Sequence, residues 1–268
     1  MAPRDSAIHS GELAHFDYRH NLIVDQDNPI LVMKAWRDRL PSGHAYLGRP
    51  DSEDALTWNV FRSLEIAGLE GYDLTARFFG ISSVERMLIW GCDLEHHGEE
   101  QQLLNVLIRG MEARHGGTMT EPDLVLVGRE EVLFVECKLN QAGAGSPWRS
   151  RGEGAARRWT TYSERLPRLA QVSEWRPLYQ LLRNYVYAVE MARYLGKCPR
   201  VTSLLNERHS ERLDLVGTYY EPFRQFDPAV CDPIHTWQRL LVTLSASDLS
   251  EPVRVPIVDK LSLTLQGE

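Results

Sequence analysis

Two short apolar runs, 124–127 and 132–135, lie close together in this chain with only Gly128-Arg129-Glu130-Glu131 between them. Four-residue runs of Leu, Val and Phe around a polar break containing glycine read as two adjacent antiparallel strands. On either side the apolar spacing lengthens to the helical period. Leu56, Val60, Phe61 and Leu64 predict a helix over 53–67, capped by Asp51-Ser52 and stopped by Gly68. A second amphipathic helix is predicted over 99–114, before Gly116-Gly117, and a third over 177–195, closed by Gly196. Residues 87–90 and 201–205 read as strands, while 22–24 and 30–36 mark short elements ahead of the break at Pro41-Ser42-Gly43. Helices alternating with strands predict an α/β or α+β domain.

The polar residues at the open end of the hairpin carry chemistry. With Val127 facing Val132, the register puts Asp123 opposite Glu136, and directly opposite residues share a face. Side chains alternate along a strand, so Lys138 joins that face while Val135 and Cys137 turn into a core. Two carboxylates at such range repel unless a cation lies between them, and hard oxygen donors select Mg²⁺, with Mn²⁺ as substitute. Lys138 is placed to orient a water or to offset charge building on a phosphate. Only four of the chain's 30 basic residues are lysines, so a lysine two positions after a strand-borne glutamate is poor filler. At strand ends these side chains are expected to lie outside the core.

Other residues could serve the same site. Glu53 shares a helix face with Thr57, Val60 and Leu64 and is a candidate third metal ligand, although a first-turn glutamate equally suits the helix dipole. Gln180, Asn184 and Tyr187 fall on one face of the 177–195 helix with Arg183 beside them, a polar stripe suited to phosphate or sugar contact. Between hairpin and helix, 140–171 carries Arg149, Arg151, Arg157, Arg158, Arg165 and Arg168 against Glu153 and Glu164, interleaved with Trp148, Trp159 and Tyr162. Arginines with aromatics suit phosphate contact and base stacking.

Composition narrows the classes. A net charge of −7 excludes coating of nucleic acid by bulk attraction, so any binding must use a local basic patch such as 140–171. Cys92, Cys137, Cys198 and Cys231 form no CxxC pair and read as reduced thiols of a cytoplasmic protein. The N-terminus lacks an apolar signal core and no run is long enough to span a membrane. The expected division is an N-terminal extension over 1–50, a core over 51–206 with its basic insertion at 140–171, and a C-terminal extension of the same domain over 207–268.

Pro122-Asp123 followed by Glu136-Cys137-Lys138 resembles the signature of the PD-(D/E)xK nuclease superfamily. The resemblance covers roughly 52–206. It implies a restriction-endonuclease-like core, a central mixed sheet flanked by helices, divalent-metal dependence, and nucleic acid as substrate, DNA before RNA. Asp123, Glu136 and Lys138 then become the catalytic set of an endonuclease. Gln180 with its following tyrosines is similar to the Q-x(3–4)-Y helix of RecB-type nucleases. The rival expectation is a nucleic-acid-binding or assembly subunit inactive alone, and either a homodimer or a protein partner is compatible with the sequence.

Overall fold

A computed structural model describes residues 18–37, 46–96, 98–112, 121–139, 153–167, 169, 179–209 and 234–266. Among the described residues the chain forms a mixed six-stranded sheet covered by helices on both faces.

Helix α1 (Pro29–Arg37) precedes α2 (Glu53–Thr57), a widened π turn at Trp58–Arg62, and α3 (Ser63–Ile66). These last three form the predicted 53–67 helix. Ser52 caps it as expected, its hydroxyl accepting the Ala55 N–H at 3.2 Å. Gly68 ends it at φ 64°, a conformation that favours glycine. The π turn inserts extra backbone, so that Trp58, Asn59, Val60, Phe61 and Arg62 are all buried and a strict 3.6 period no longer describes the covered face. Helix α4 (Leu69–Phe79) fills an interval for which the pattern predicted nothing. Gly71 lets it cross α3 closely, since a Cβ there would stand 1.9 Å from the Leu64 carbonyl oxygen.

Strand β1 (Arg86–Ile89) and the two-residue β2 (Cys92–Asp93) lead to α5 (Glu99–Glu112). The hairpin follows as β3 (Leu124–Val127) and β4 (Glu131–Lys138). Helices α6 (Glu153–Arg165) and α7 (Tyr179–Leu195) then return the chain to β5 (Cys198–Leu205), parallel to β4. Strand β6 (His235–Thr236) and helices α8 (Trp237–Ser245) and α9 (Glu251–Gln266) complete the described elements. The sheet order is β2-β1-β3-β4-β5-β6, antiparallel from β2 to β4 and parallel from β4 to β6.

Alternation along the central strands divides the interior into two cores. Leu124, Leu126, Leu133, Val135 and Cys137 join residues of α2 to α4, the N-terminal Leu22 and Leu31, and Trp237, Leu240, Ile257 and Leu261 from the C-terminal helices. Val125, Val127, Val132 and Phe134 face the other way, onto α5, α6 and α7. The two terminal stretches therefore bury apolar surface in the same core as the hairpin. Among the described residues no helix is long and apolar enough to cross a membrane.

Candidate active site at the end of the central hairpin

The hairpin register is the predicted one. Val127 pairs with Val132 and Leu124 with Val135, which sets Asp123 opposite Glu136 one step beyond the ladder. Asp123 is held from both sides. Its carbonyl accepts the Trp90 N–H at 3.1 Å, and its Oδ2 accepts the Cys137 N–H at 2.9 Å. Trp90 itself sits at φ 51°, turning the chain out of β1, and its indole stacks on Trp58 with ring centroids 5.4 Å apart.

Glu53 reaches the same point from another layer. As the first residue of α2 it projects past the end of the sheet, where Oε2 accepts the Leu139 N–H at 2.8 Å and Oε1 meets Lys138 Nζ at 2.9 Å. The Lys138 ammonium lies among three carboxylates, with Asp123 Oδ2 at 3.3 Å and Glu136 Oε1 at 2.7 Å, and donates to the Cys137 carbonyl at 2.8 Å. From the C-terminal side the Trp237 indole N–H donates to the Lys138 carbonyl at 3.3 Å. Three segments distant in sequence thus converge on the last residues of β4.

Burial corrects one expectation. Glu136 is wholly covered and Lys138 only 4% exposed, so this pair belongs to the interior and not to a solvated strand end. The reason is that helices cover both faces of the sheet as far as its edge. The Glu53 and Asp123 side chains keep 20% and 17% of their surface, which makes them the side of the cluster open to solvent. Burial pushes the Glu53 carboxyl up to about 7, with Lys138 opposing and Asp123 reinforcing the shift. Glu136 is likewise raised, first by burial and then by the neighbouring Asp123. Burial works against the charged form of Lys138, but Asp123, Glu136 and Glu53 together hold its ammonium well above the ordinary lysine value.

The helical stripe predicted to face substrate divides between the site and the core. Asn184 points at the site, its amide donating to Glu136 Oε2 at 2.8 Å. Arg183 is buried beside it, 3.6 Å from the same oxygen. Tyr187 is fully buried, packed near Phe134 and Tyr162, with centroids at 6.5 and 6.4 Å. Gln180 is half-buried at the start of α7, and its Oε1 is covered without a hydrogen-bond partner. In the basic segment, Arg157 is exposed and Arg158 half-buried on α6, whereas Tyr162, expected to stack on bases, lies in the core against α7. Arg149 and Arg151 lie outside the described residues.

Sequence reading did not assign the parts played by Asn184, the Leu139 N–H and Trp237. Asn184 left a signal, a buried-face amide on an apolar helix that needed a partner. Trp237 left none, because the contact joins residues 99 positions apart.

Among the described residues no three His, Cys, Asp or Glu side chains are grouped as a ready ion cage. The carboxylates of Glu53, Asp123 and Glu136 instead surround the Lys138 ammonium. Their chemistry still fits a hard divalent cation: every donor is a carboxylate oxygen, and two of the three side chains reach solvent. Cysteine plays no such part, since Cys137 turns to the opposite core, where burial raises its thiol well above the ordinary value. Comparison with known proteins finds no family model, no curated protein and no solved structure that matches this chain.

Proposed function

We propose that this chain is a metal-dependent nuclease of the PD-(D/E)xK type, working in the cytoplasm and hydrolysing phosphodiester bonds, with DNA as the expected substrate. The observation that carries the reading is the convergence of Glu53, Asp123 and Glu136 on Lys138 Nζ at 2.9, 3.3 and 2.7 Å, at a sheet end open to solvent through Glu53 and Asp123. Support for a restriction-endonuclease-like core comes from the strand order, in which an antiparallel β1-β3-β4 unit passes into a parallel β4-β5 pair through a helical crossover. The exposed Arg157 on α6 supports a nucleic-acid substrate.

Asp123, Glu136 and Glu53 would hold Mg²⁺. The bound ion supplies a water of lowered pKa and neutralises charge on the phosphate. Asp123 is fixed for that role by two backbone N–H contacts, one at its carbonyl and one at its side chain, so its carboxylate needs no reordering when substrate arrives. Lys138 keeps its proton over the physiological range because three acids surround it. It therefore acts as a fixed positive charge toward the phosphate and not as a general base.

The test is incubation of the purified protein with linear, circular and single-stranded DNA and with RNA, each in Mg²⁺, Mn²⁺ or EDTA. Cleavage of DNA in Mg²⁺ or Mn²⁺ that EDTA and Asp123→Ala both abolish is the expected result. No cleavage of any substrate under any metal would defeat the reading.

A further inference from the structure

The two carboxylate oxygens of Glu136 are treated differently. Oε2 accepts the Asn184 amide at 2.8 Å and lies 3.6 Å from the Arg183 guanidinium. Oε1 is buried and faces the Lys138 ammonium at 2.7 Å. Asn184 has no freedom to turn its amide over. Its Oδ1 takes two donors from Arg183, Nε at 3.2 Å and a terminal nitrogen at 3.0 Å, so Nδ2 must be the group presented to Glu136. Glu136 and Asn184 are 0% exposed and Arg183 1%, which leaves this relay sealed from water.

We propose that Arg183 and Asn184 are positioning residues that hold Glu136 as a one-oxygen ligand, so that the site takes a single divalent cation. The inference rests on the nuclease reading above. Charge points the same way. With all five groups ionised, Glu53, Asp123 and Glu136 against Lys138 and Arg183 leave one net negative charge. One divalent cation converts this to one positive charge, which the single negative charge of a phosphodiester cancels. A second cation would leave positive charge uncompensated in a largely buried site, where desolvation makes it costly. The buried guanidinium of Arg183 thus adds one more positive charge to the excess that a second cation would bring.

Titration of the full chain with Mn²⁺ alone, followed by electron paramagnetic resonance of the free ion, reads both stoichiometry and affinity. Wild type is expected to bind one Mn²⁺ per chain and Asp123→Ala none. Asn184→Leu, which keeps the number and branching of the side-chain heavy atoms but removes the amide, is expected to weaken binding by about 10- to 100-fold, with thermal unfolding in EDTA showing that the chain is folded. Should that variant fail to fold, Arg183→Lys supplies the comparison, because its ammonium cannot reproduce the planar two-donor fork on Asn184. Two ions per wild-type chain, both lost in Asp123→Ala, would overturn the proposal whatever the variants do. Unchanged affinity in the folded variant would overturn it while leaving the nuclease reading intact. A wild type with no Mn²⁺ site sensitive to Asp123→Ala removes that reading, and this inference with it.

Discussion

Glu53 and Lys138 lie 85 positions apart, yet their charged groups meet at 2.9 Å, and Glu53 also accepts the N–H of the residue after Lys138. The start of a helix on one face of the sheet is thereby fastened to the end of a central strand. This fastening makes Glu53 part of the site and not merely a first-turn acid, and it couples the helix to whatever chemistry the strand performs.

Asp123→Ala and Lys138→Ala are expected to separate. Both should abolish metal-dependent cleavage, but only the lysine variant strands three acids without their cation, at a cost on the order of 3–5 kcal/mol for a broken buried pair. Urea unfolding in EDTA checks this. A Lys138→Ala chain as stable as wild type would show that the carboxylates do not depend on the ammonium.

Stability should decline as pH rises from about 4.5 to 7. Glu53 and Glu65 are each raised from the ordinary 4.5 to about 7, chiefly by burial, with Lys138 and Arg62 respectively opposing. An acid whose folded value exceeds its unfolded one keeps its proton longer in the folded chain, so folding binds protons over that window and loses free energy as they leave. Unfolding free energies in EDTA at pH 5 and pH 7.5 should differ in wild type, and the difference should shrink in Glu53→Gln with Glu65→Gln. Parallel pH profiles for the two proteins would contradict the assignment.

Tyr187→Ala should act on stability and not on substrate affinity. Its ring is buried between Phe134 and Tyr162, and truncating a large core aromatic costs about 3–5 kcal/mol. A variant that unfolds at the wild-type urea concentration but binds nucleic acid more weakly would return Tyr187 to the substrate surface.

Neutralising Arg149, Arg151, Arg157 and Arg158 together should weaken nucleic-acid binding and flatten its salt dependence, by up to about four counterions if all four contact phosphates. Affinity measured against salt decides it. Superimposable slopes for wild type and variant would mean that the segment does not follow a phosphate backbone.

The hairpin was legible because three local signals agreed: strand-forming runs of matched length, a glycine-containing break, and a two-residue period that put Asp123, Glu136 and Lys138 on one face. Ser52 and Gly68 likewise gave the ends of the helix that carries Glu53. What the letters could not convey was depth. A lysine near a strand end looks solvated until the elements that cover it are known, and those come from Trp237 and α7, far along the chain. The Gln180, Asn184 and Tyr187 stripe was correctly placed on one helix face, but that face turns toward the sheet, so its polar member became a partner of Glu136 and its aromatic member became packing. Helix α4 escaped notice because Gly71, which permits its close crossing of α3, reads in the letters as a helix breaker.

The Trp237 hydrogen bond to the Lys138 carbonyl also imposes an order in time. During synthesis β4 leaves the ribosome before α8 exists, and a domain generally folds as a unit. The strand that carries Glu136 and Lys138 therefore waits for the indole that covers the lysine's backbone, which arrives 99 residues later. The centre is accordingly expected to be complete only once the C-terminal helices have docked on the core that they share with the hairpin.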